Sequence, residues 1–156
     1  MKVDIRPVAI EDYENLYDLV ALVEDYKGFQ FFDQFCQGMN NRVGFTYWVD
    51  NKLIGLVSFS DYYASLSVVI HCDFHPNYIE AMNRKVICQV FRYAFNNLKV
   101  NRITTYIVKG ITDKLAKFIK GLGFKKEGKL EEAVELNNKF YDLIVYGMIR
   151  KNCKWL

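Results

Sequence analysis

His71 and Asp73 stand two positions apart in an apolar, β-branched run, Leu66–Phe74. In a strand that spacing puts both side chains on one face. An imidazole beside a carboxylate can hold and move a proton near neutral pH. Two readings are open: a proton-transfer couple, or a structural polar pair on the opposite face of a sheet. A second cluster, Asp61-Tyr62-Tyr63, closes the preceding apolar run. There an aspartate could act as a base, and a tyrosine hydroxyl, with an ordinary pKa near ~10, could protonate a leaving group. Its alternative is a plain loop cluster.

Lysines gather late in the chain, at Lys109, Lys114, Lys117, Lys120, Lys125, Lys126 and Lys129. Such a patch is either a solvated face or a receiver for a polyanionic ligand. The whole chain carries 21 Lys+Arg against 18 Asp+Glu, a net charge of +3, which is too weak to argue for nucleic acid. Cys36, Cys72, Cys88 and Cys153 are scattered, and His71 and His75 are the two histidines. No zinc-type spacing results, so neither a metal nor a disulfide is expected.

The elements that must position these groups follow from periodicity. Lys2–Arg6 alternates and stops at Pro7, a short strand. Ile10, Tyr13, Leu16, Tyr17, Val20 and Val23 follow a helical period, and a shorter helix is expected over Phe29–Cys36, ending near Gly38. Phe45–Val49 and Leu53–Ser60 are strands joined by the turn Asp50-Asn51-Lys52, and Leu66–Phe74 is the next strand. After Pro76-Asn77 comes one long amphipathic helix with Val86, Ile87, Val90, Phe91, Ala94, Phe95 and Leu98 on its apolar stripe. Arg102–Val108 is a strand, Thr112-Asp113 is expected to cap a helix that ends at Gly121-Leu122-Gly123, and strands Phe124–Val134 and Lys139–Arg150 close the chain. The order β-α-α-β-β-β-α-β-α-β-β is an α+β mixed sheet with helices packed on it.

The 156 residues suit one domain, 1–156, and an aromatic content of 16% suits a Phe/Tyr-rich core. No apolar run is long enough to span a bilayer, and the first residues show no signal-peptide core. A cytoplasmic protein without membrane or nucleic-acid partners is the expectation.

Several local sequences resemble the GNAT superfamily of acyl-CoA-dependent N-acetyltransferases. Ile5-Arg6-Pro7 through Glu11-Asp12 is similar to that family's "IRP…ED" start. Phe118-Ile119-Lys120-Gly121-Leu122-Gly123-Phe124-Lys125-Lys126-Glu127-Gly128 resembles "LLEKLGFKKEG". Asp142-Leu143-Ile144-Val145-Tyr146 resembles the "DLIVYSM" end of the ribosomal-protein N-acetylating branch, and Asn101-Arg102-Ile103 sits where "NRI" opens the fifth strand.

The resemblance covers essentially the whole chain and implies a mostly antiparallel seven-stranded sheet, helices on both faces, and splayed fourth and fifth strands. It further implies acetyl-CoA as acyl donor, with its pyrophosphate over the helix that follows the fourth strand. The cofactor contacts would then fall on Phe74, Ile79, Ala81, Met82, Asn83, Arg84, Lys85 and Thr112. The family's loop reads Q/R-x-x-G-x-G/A, whereas Pro76–Arg84 contains no glycine.

The usual base positions would be Val68 or Ile70, and the usual tyrosine acid would be Ile119. None of these can titrate. Catalysis is therefore expected from Asp73, His71, Tyr63 and Asp61. The implied function is acetyl transfer to an amine of a protein or small molecule, and a homodimer is compatible with the resemblance. The alternative is a GNAT-fold binding or structural module without chemistry.

Overall fold

Two pairs of adjacent polar residues turn the chain back on itself. Asp50 and Asn51 have φ of 49° and 62°, and Asn137 and Asn138 have φ of 50° and 59°. Consecutive left-handed residues make the tight turns whose twist matches paired strands, and Asn and Asp tolerate them best. The structure is a computed structural model that describes residues 2–23, 32–81 and 84–156, without the side chains of 22, 23, 79–81 and 84–86.

Its strands are β1 (Asp4–Pro7), β2 (Val43–Val49), β3 (Lys52–Tyr63), β4 (Ser67–Phe74), β5 (Arg102–Val108), β6 (Lys125–Leu136) and β7 (Lys139–Ile149). The helices are α1 (Tyr13–Val23), α2 (Phe32–Asn40), α3 (Arg84–Arg92) and α4 (Asp113–Leu122). One seven-stranded sheet runs in the order β1-β2-β3-β4-β5-β7-β6. β4 and β5 are parallel; the pairs β1–β2, β2–β3, β5–β7 and β6–β7 are antiparallel. This is the α+β mixed sheet that the sequence led us to expect.

The chain divides into two compact units, Met1–Ser60 with Ile70–Val90 and Asp61–Val69 with Phe91–Leu156. In the first, α1 and α2 bury Leu16, Leu19, Phe35 and Met39 against Leu56 of β3. Each such side chain contributes about 1.5–3 kcal/mol by leaving water. Tyr13 adds an edge-on contact to Phe35 and donates to Asn40 Oδ1 at 3.0 Å. α2 runs through Gly38 to Asn40 rather than stopping at the glycine, because Met39 is buried in this core. The expected start of that helix at Phe29 lies outside the described residues.

On the other face of the first unit's sheet, Tyr47 pairs with Gly55 and lies edge-on to Phe74 at 5.4 Å. Tyr47 is fully buried, and its hydroxyl has no hydrogen-bond partner among the described residues. Burial, then Cys72 and Cys88, pushes that hydroxyl well above the usual tyrosine range. A raised folded value stabilises the fold below the unfolded pKa near ~10, and the contribution fades as pH rises past it. Tyr47→Phe removes the orphan without changing the ring. Chemical denaturation at neutral pH is expected to show a gain of about 1 kcal/mol, with a smaller loss of stability above pH ~10.

In the second unit, β5 is paired along its whole length with β7, from Arg102↔Ile149 to Val108↔Leu143. Phe91, Phe95, Ile103, Ile107, Leu122, Phe124, Ile144 and Met148 are buried there. The expected single long helix is in fact α3 followed by a π-helical turn, Tyr93–Asn97. Leu98 N–H reaches back to the Tyr93 carbonyl at 3.1 Å, and the Arg150 guanidinium takes the Phe95 carbonyl and Asn96 Oδ1. The widened turn brings Ala94 and Phe95, neighbours in sequence, into the core together.

α4 also departs from expectation at its start. Thr112 makes no side-chain cap bond; its hydroxyl accepts from Val108 N–H at 2.9 Å. Asp113 accepts instead from Gly110 N–H at 3.0 Å. At the other end Gly123, at φ 110°, closes the helix in the left-handed conformation, as expected.

Candidate active site

Alternation along β4 separates two sets of side chains. Val68, Ile70 and Phe74 are buried on one face, and His71 and Asp73 project from the other. Val68 and Ile70 are buried apolar side chains and carry no group that titrates. On β3, Leu56 lies against α1 and α2, and the same parity carries Ser58 and Ser60 onto that face.

His71 reaches this row: its Nε2 lies 2.8 Å from Ser60 Oγ. Arg42 Nη1 donates to Ser58 Oγ at 3.5 Å. Ser58 is fully buried and Asp73 is 9% exposed. Leucine or valine would cost less here, since each buried polar group must be satisfied. This part of the face carries hydroxyls, an imidazole and a carboxylate, and hydrogen bonds offset the cost of placing them there.

Between His71 and Asp73, Cys72 points to the Tyr47 side. Burial, then the Asp73 carboxylate, raises its thiol well above the usual range. It stays protonated at neutral pH and is a poor nucleophile. Among the described residues no cluster of three or more metal-ligating side chains is present.

β4 pairs with β5 only through Ser67↔Arg102, Val68↔Ile103 and Val69↔Thr104. Among the described residues the β4–β5 register ends at Val69↔Thr104. His75 N–H donates to the Ile54 carbonyl at 2.8 Å and ends the strand on β3. A 3-10 turn, Pro76–Ala81, leads to the first residues of α3, Arg84 and Lys85. Phe74 is seated by Gly55, where a Cβ would come within 2.1 Å of its ring. Ile79 and Ala81 lie in the 3-10 turn, whereas Met82 and Asn83 lie outside the described residues.

Asp61 and Tyr63 belong to the second unit. Asp61 has φ 48° near the end of β3, and Tyr63 is 63% exposed and accepts at its carbonyl from Leu66 N–H. Tyr62 donates its hydroxyl to the Leu98 carbonyl at 3.1 Å, a structural tie. Thr112 is likewise tied to the Val108 backbone. Sequence reasoning overlooked Ser60, Ser58 and Arg42; the alternation Leu56, Ser58, Ser60 within an otherwise apolar strand was the signal available.

The seven-stranded mixed sheet, with β4 parallel to β5 and a helix following β4, is the architecture that these site residues share. The family description "Acetyltransferase (GNAT) domain" matches residues 30–145, and the chain belongs to that family. Acetyl-CoA is the acyl donor that acetyltransferases of this family use. No curated protein sequence matches the chain significantly.

Among solved structures, it is similar to the spermidine N-acetyltransferase from Vibrio cholerae in complex with CoA and spermine. The identity is 18%, coverage is 96% of each chain, and the TM-score is 0.81. It is also similar to the spermidine/spermine N-acetyltransferase SpeG from the same organism in complex with manganese ions (19%, 95% of this chain and 92% of that one, TM-score 0.77). A structure described as a probable acetyltransferase matches at 19% identity, 96% and 93% coverage and TM-score 0.77.

Proposed function

We propose that this chain is an acetyl-CoA-dependent N-acetyltransferase whose acceptor is an amine, with His71 as the group that takes the proton. The observation that carries the reading is His71 on β4, held by Ser60 at 2.8 Å and sharing its face with the buried Asp73, in a chain of the acetyltransferase family. Bound acetyl-CoA supplies the acetyl group activated as a thioester. The chain's own work is to bring the acceptor nitrogen to it neutral, although an alkyl amine has an ordinary pKa near ~10.4. An imidazole suits that task because its ordinary pKa lies near ~6.5. Asp73, on the same face of β4, is proposed as the second acid–base group beside it. Asp61 and Tyr63 are proposed as further acid–base groups on their chemistry alone.

For the cofactor, the residues present fit in part. Beyond Val69, where the β4–β5 register ends, the β4 edge would offer backbone groups to amides, and the α3 N-terminus with Arg84 and Lys85 favours phosphate. Phe74, Ile79 and Ala81 precede that helix on the same path, and Met82, Asn83 and Thr112 complete the proposed contacts. A small molecule such as a polyamine is the acceptor class favoured here, because the solved structure at TM-score 0.81 holds spermine with CoA. The family description covers parts of both compact units, which supports one domain over 1–156. Among the described residues no helix is long and apolar enough to cross a membrane, and we place the protein in the cytoplasm.

A second reading, a GNAT-fold module without chemistry, is favoured by the glycine-free stretch Pro76–Arg84. Titration calorimetry with acetyl-CoA, followed by thioester cleavage with a panel of amines, separates the two. Cofactor binding with cleavage on at least one amine is expected; neither would leave the module. In the same titration Arg84→Ala should weaken CoA by roughly tenfold or more, as for a charge-assisted contact of ~1.5–3 kcal/mol, and a phosphate-free pantetheine much less. Equal losses would mean that Arg84 serves only the helix.

A further inference from the structure

The second unit holds a cavity that the acetyl-transfer reading does not use. Its volume is about 450 Å³. It is framed by Ser65 of the β3–β4 turn, the π-helical turn, the link from that turn to β5, and Arg150 at the end of β7. Cavities of this size hold small organic ligands. The charged groups that line it are Lys99 and Arg150, both cations, and the neutral polar ones are Ser65, Asn96 and Asn101. Among the described residues neither cation meets a carboxylate. A concave site with two positive charges and no acid in its lining concentrates anions.

Arg150 is set in place by its part in the fold. Its guanidinium donates to the Phe95 carbonyl and, at 3.0 Å, to Asn96 Oδ1. That engages two of the five N–H donors of an arginine, so three remain. With its oxygen taken up, Asn96 has its amide NH2 left to donate.

The walls are tied to one another as well. Asn101 N–H and Arg102 N–H both donate to the Leu66 carbonyl at 3.0 Å, and Arg150 N–H donates to the Asn101 carbonyl at 2.8 Å. Ser65 and Lys99 hold left-handed backbone at φ 62° and 56°, an uncommon conformation for either residue type. A π-helical turn is likewise uncommon, and such turns occur often at functional sites.

We propose that this cavity is a ligand site of its own that receives the phosphoryl group of a small molecule. A phosphoryl group carries a charge of about −1.5 to −2 and three acceptor oxygens, which suits two cations flanked by neutral donors. Arg150 brings the planar fork, and Lys99 the movable point charge. A carboxylate, with a single charge, would leave one of the two cations unanswered. The inference does not depend on the acetyltransferase reading, since its test reads binding and not turnover.

The test is nitrogen-15 NMR of the labelled full chain, titrated at neutral pH with inorganic phosphate at constant ionic strength. Saturable shifts are expected at the amides of Ser65, Lys99 and Asn101, with a dissociation constant near ~1 mM, as two charge-assisted contacts supply. Lys99→Gln removes a charge that makes no ion pair within the described residues. It should weaken binding about tenfold or more, and Lys99→Arg should restore it. Acetate should bind about tenfold more weakly than phosphate. If methyl phosphate moves the same amides the site takes a monoester, and if it does not the site takes free phosphate.

The absence of saturable shifts in wild type overturns the proposal, and that measurement needs no variant to fold. Shifts that sodium chloride reproduces at equal ionic strength, or that Lys99→Gln leaves unchanged, overturn it as well. So does acetate binding as tightly as phosphate. Shifts confined to Arg84 and Lys85 would put the anion on the proposed cofactor path and overturn the assignment to this cavity.

Discussion

Turnover of acetyl transfer is expected to fall about 10²-fold when His71 is replaced by glutamine, the usual loss on removing a general base. Glutamine keeps an amide that can still bond Ser60, so the β3–β4 packing survives while the titrating group is gone. Asp73→Asn is expected to lower turnover by a similar factor, because a carboxylate proposed as the second acid–base group is lost while its shape is kept. If the two residues act as one couple, the double variant should be little worse than either single one. Additive losses would instead assign them independent tasks. Tyr63→Phe provides the comparison: a drop of the same size would bring the tyrosine hydroxyl into the chemistry, and full activity would remove Tyr63 from it. Thermal unfolding of each variant separates lost chemistry from lost fold, since exposed Tyr63 in particular should leave the midpoint unchanged.

What could be foreseen from the chain alone was local. Asp50-Asn51 and Asn137-Asn138 interrupt apolar runs with the residue types that left-handed turns prefer, so both hairpins were legible. Gly123 after a helical stripe gave the end of α4, and period-2 reasoning placed His71 and Asp73 together. What escaped depends on residues far apart in the chain. The π-helical turn Tyr93–Asn97 answers to Arg150, 55 positions beyond the Phe95 carbonyl it takes, and no helical period reveals it. Thr112 looked like a cap but spends its hydroxyl on Val108. Ser60 Oγ lies 2.8 Å from the ring of His71, 11 positions away across a hairpin, and parity within one strand cannot say which hydroxyl faces which ring. Local pattern thus gave both candidate acid–base groups on β4. The hydroxyl in contact with one of them required the register between strands.

Gly55→Ala is expected to be among the most damaging small substitutions in the chain. The new Cβ would lie 2.1 Å from one Phe74 ring carbon and 2.3 Å from the next, far inside van der Waals contact. A flexible side-chain tip could move aside, but this ring is held edge-on by the fully buried Tyr47 and is itself only 8% exposed. Either the ring leaves its seat or β3 shifts against β4, and overpacking of this kind costs about 1–3 kcal/mol. For a chain of this size that corresponds to a fall of roughly 2–12 °C in the thermal midpoint. Phe74 is also the last residue of β4 before the turn into α3, so displacing it moves the edge proposed to hold the pantetheine amides. CoA affinity in titration calorimetry should therefore fall together with stability. Phe74→Leu should be only mildly destabilising alone and, combined with Gly55→Ala, should recover part of both losses, because the smaller side chain leaves room for the methyl group. Contacting residues couple by ~0.5–3 kcal/mol, so the double-mutant cycle should show a clearly favourable interaction between the two substitutions. A strictly additive cycle would mean that Gly55 is required by the backbone of β3 and not by the ring of Phe74.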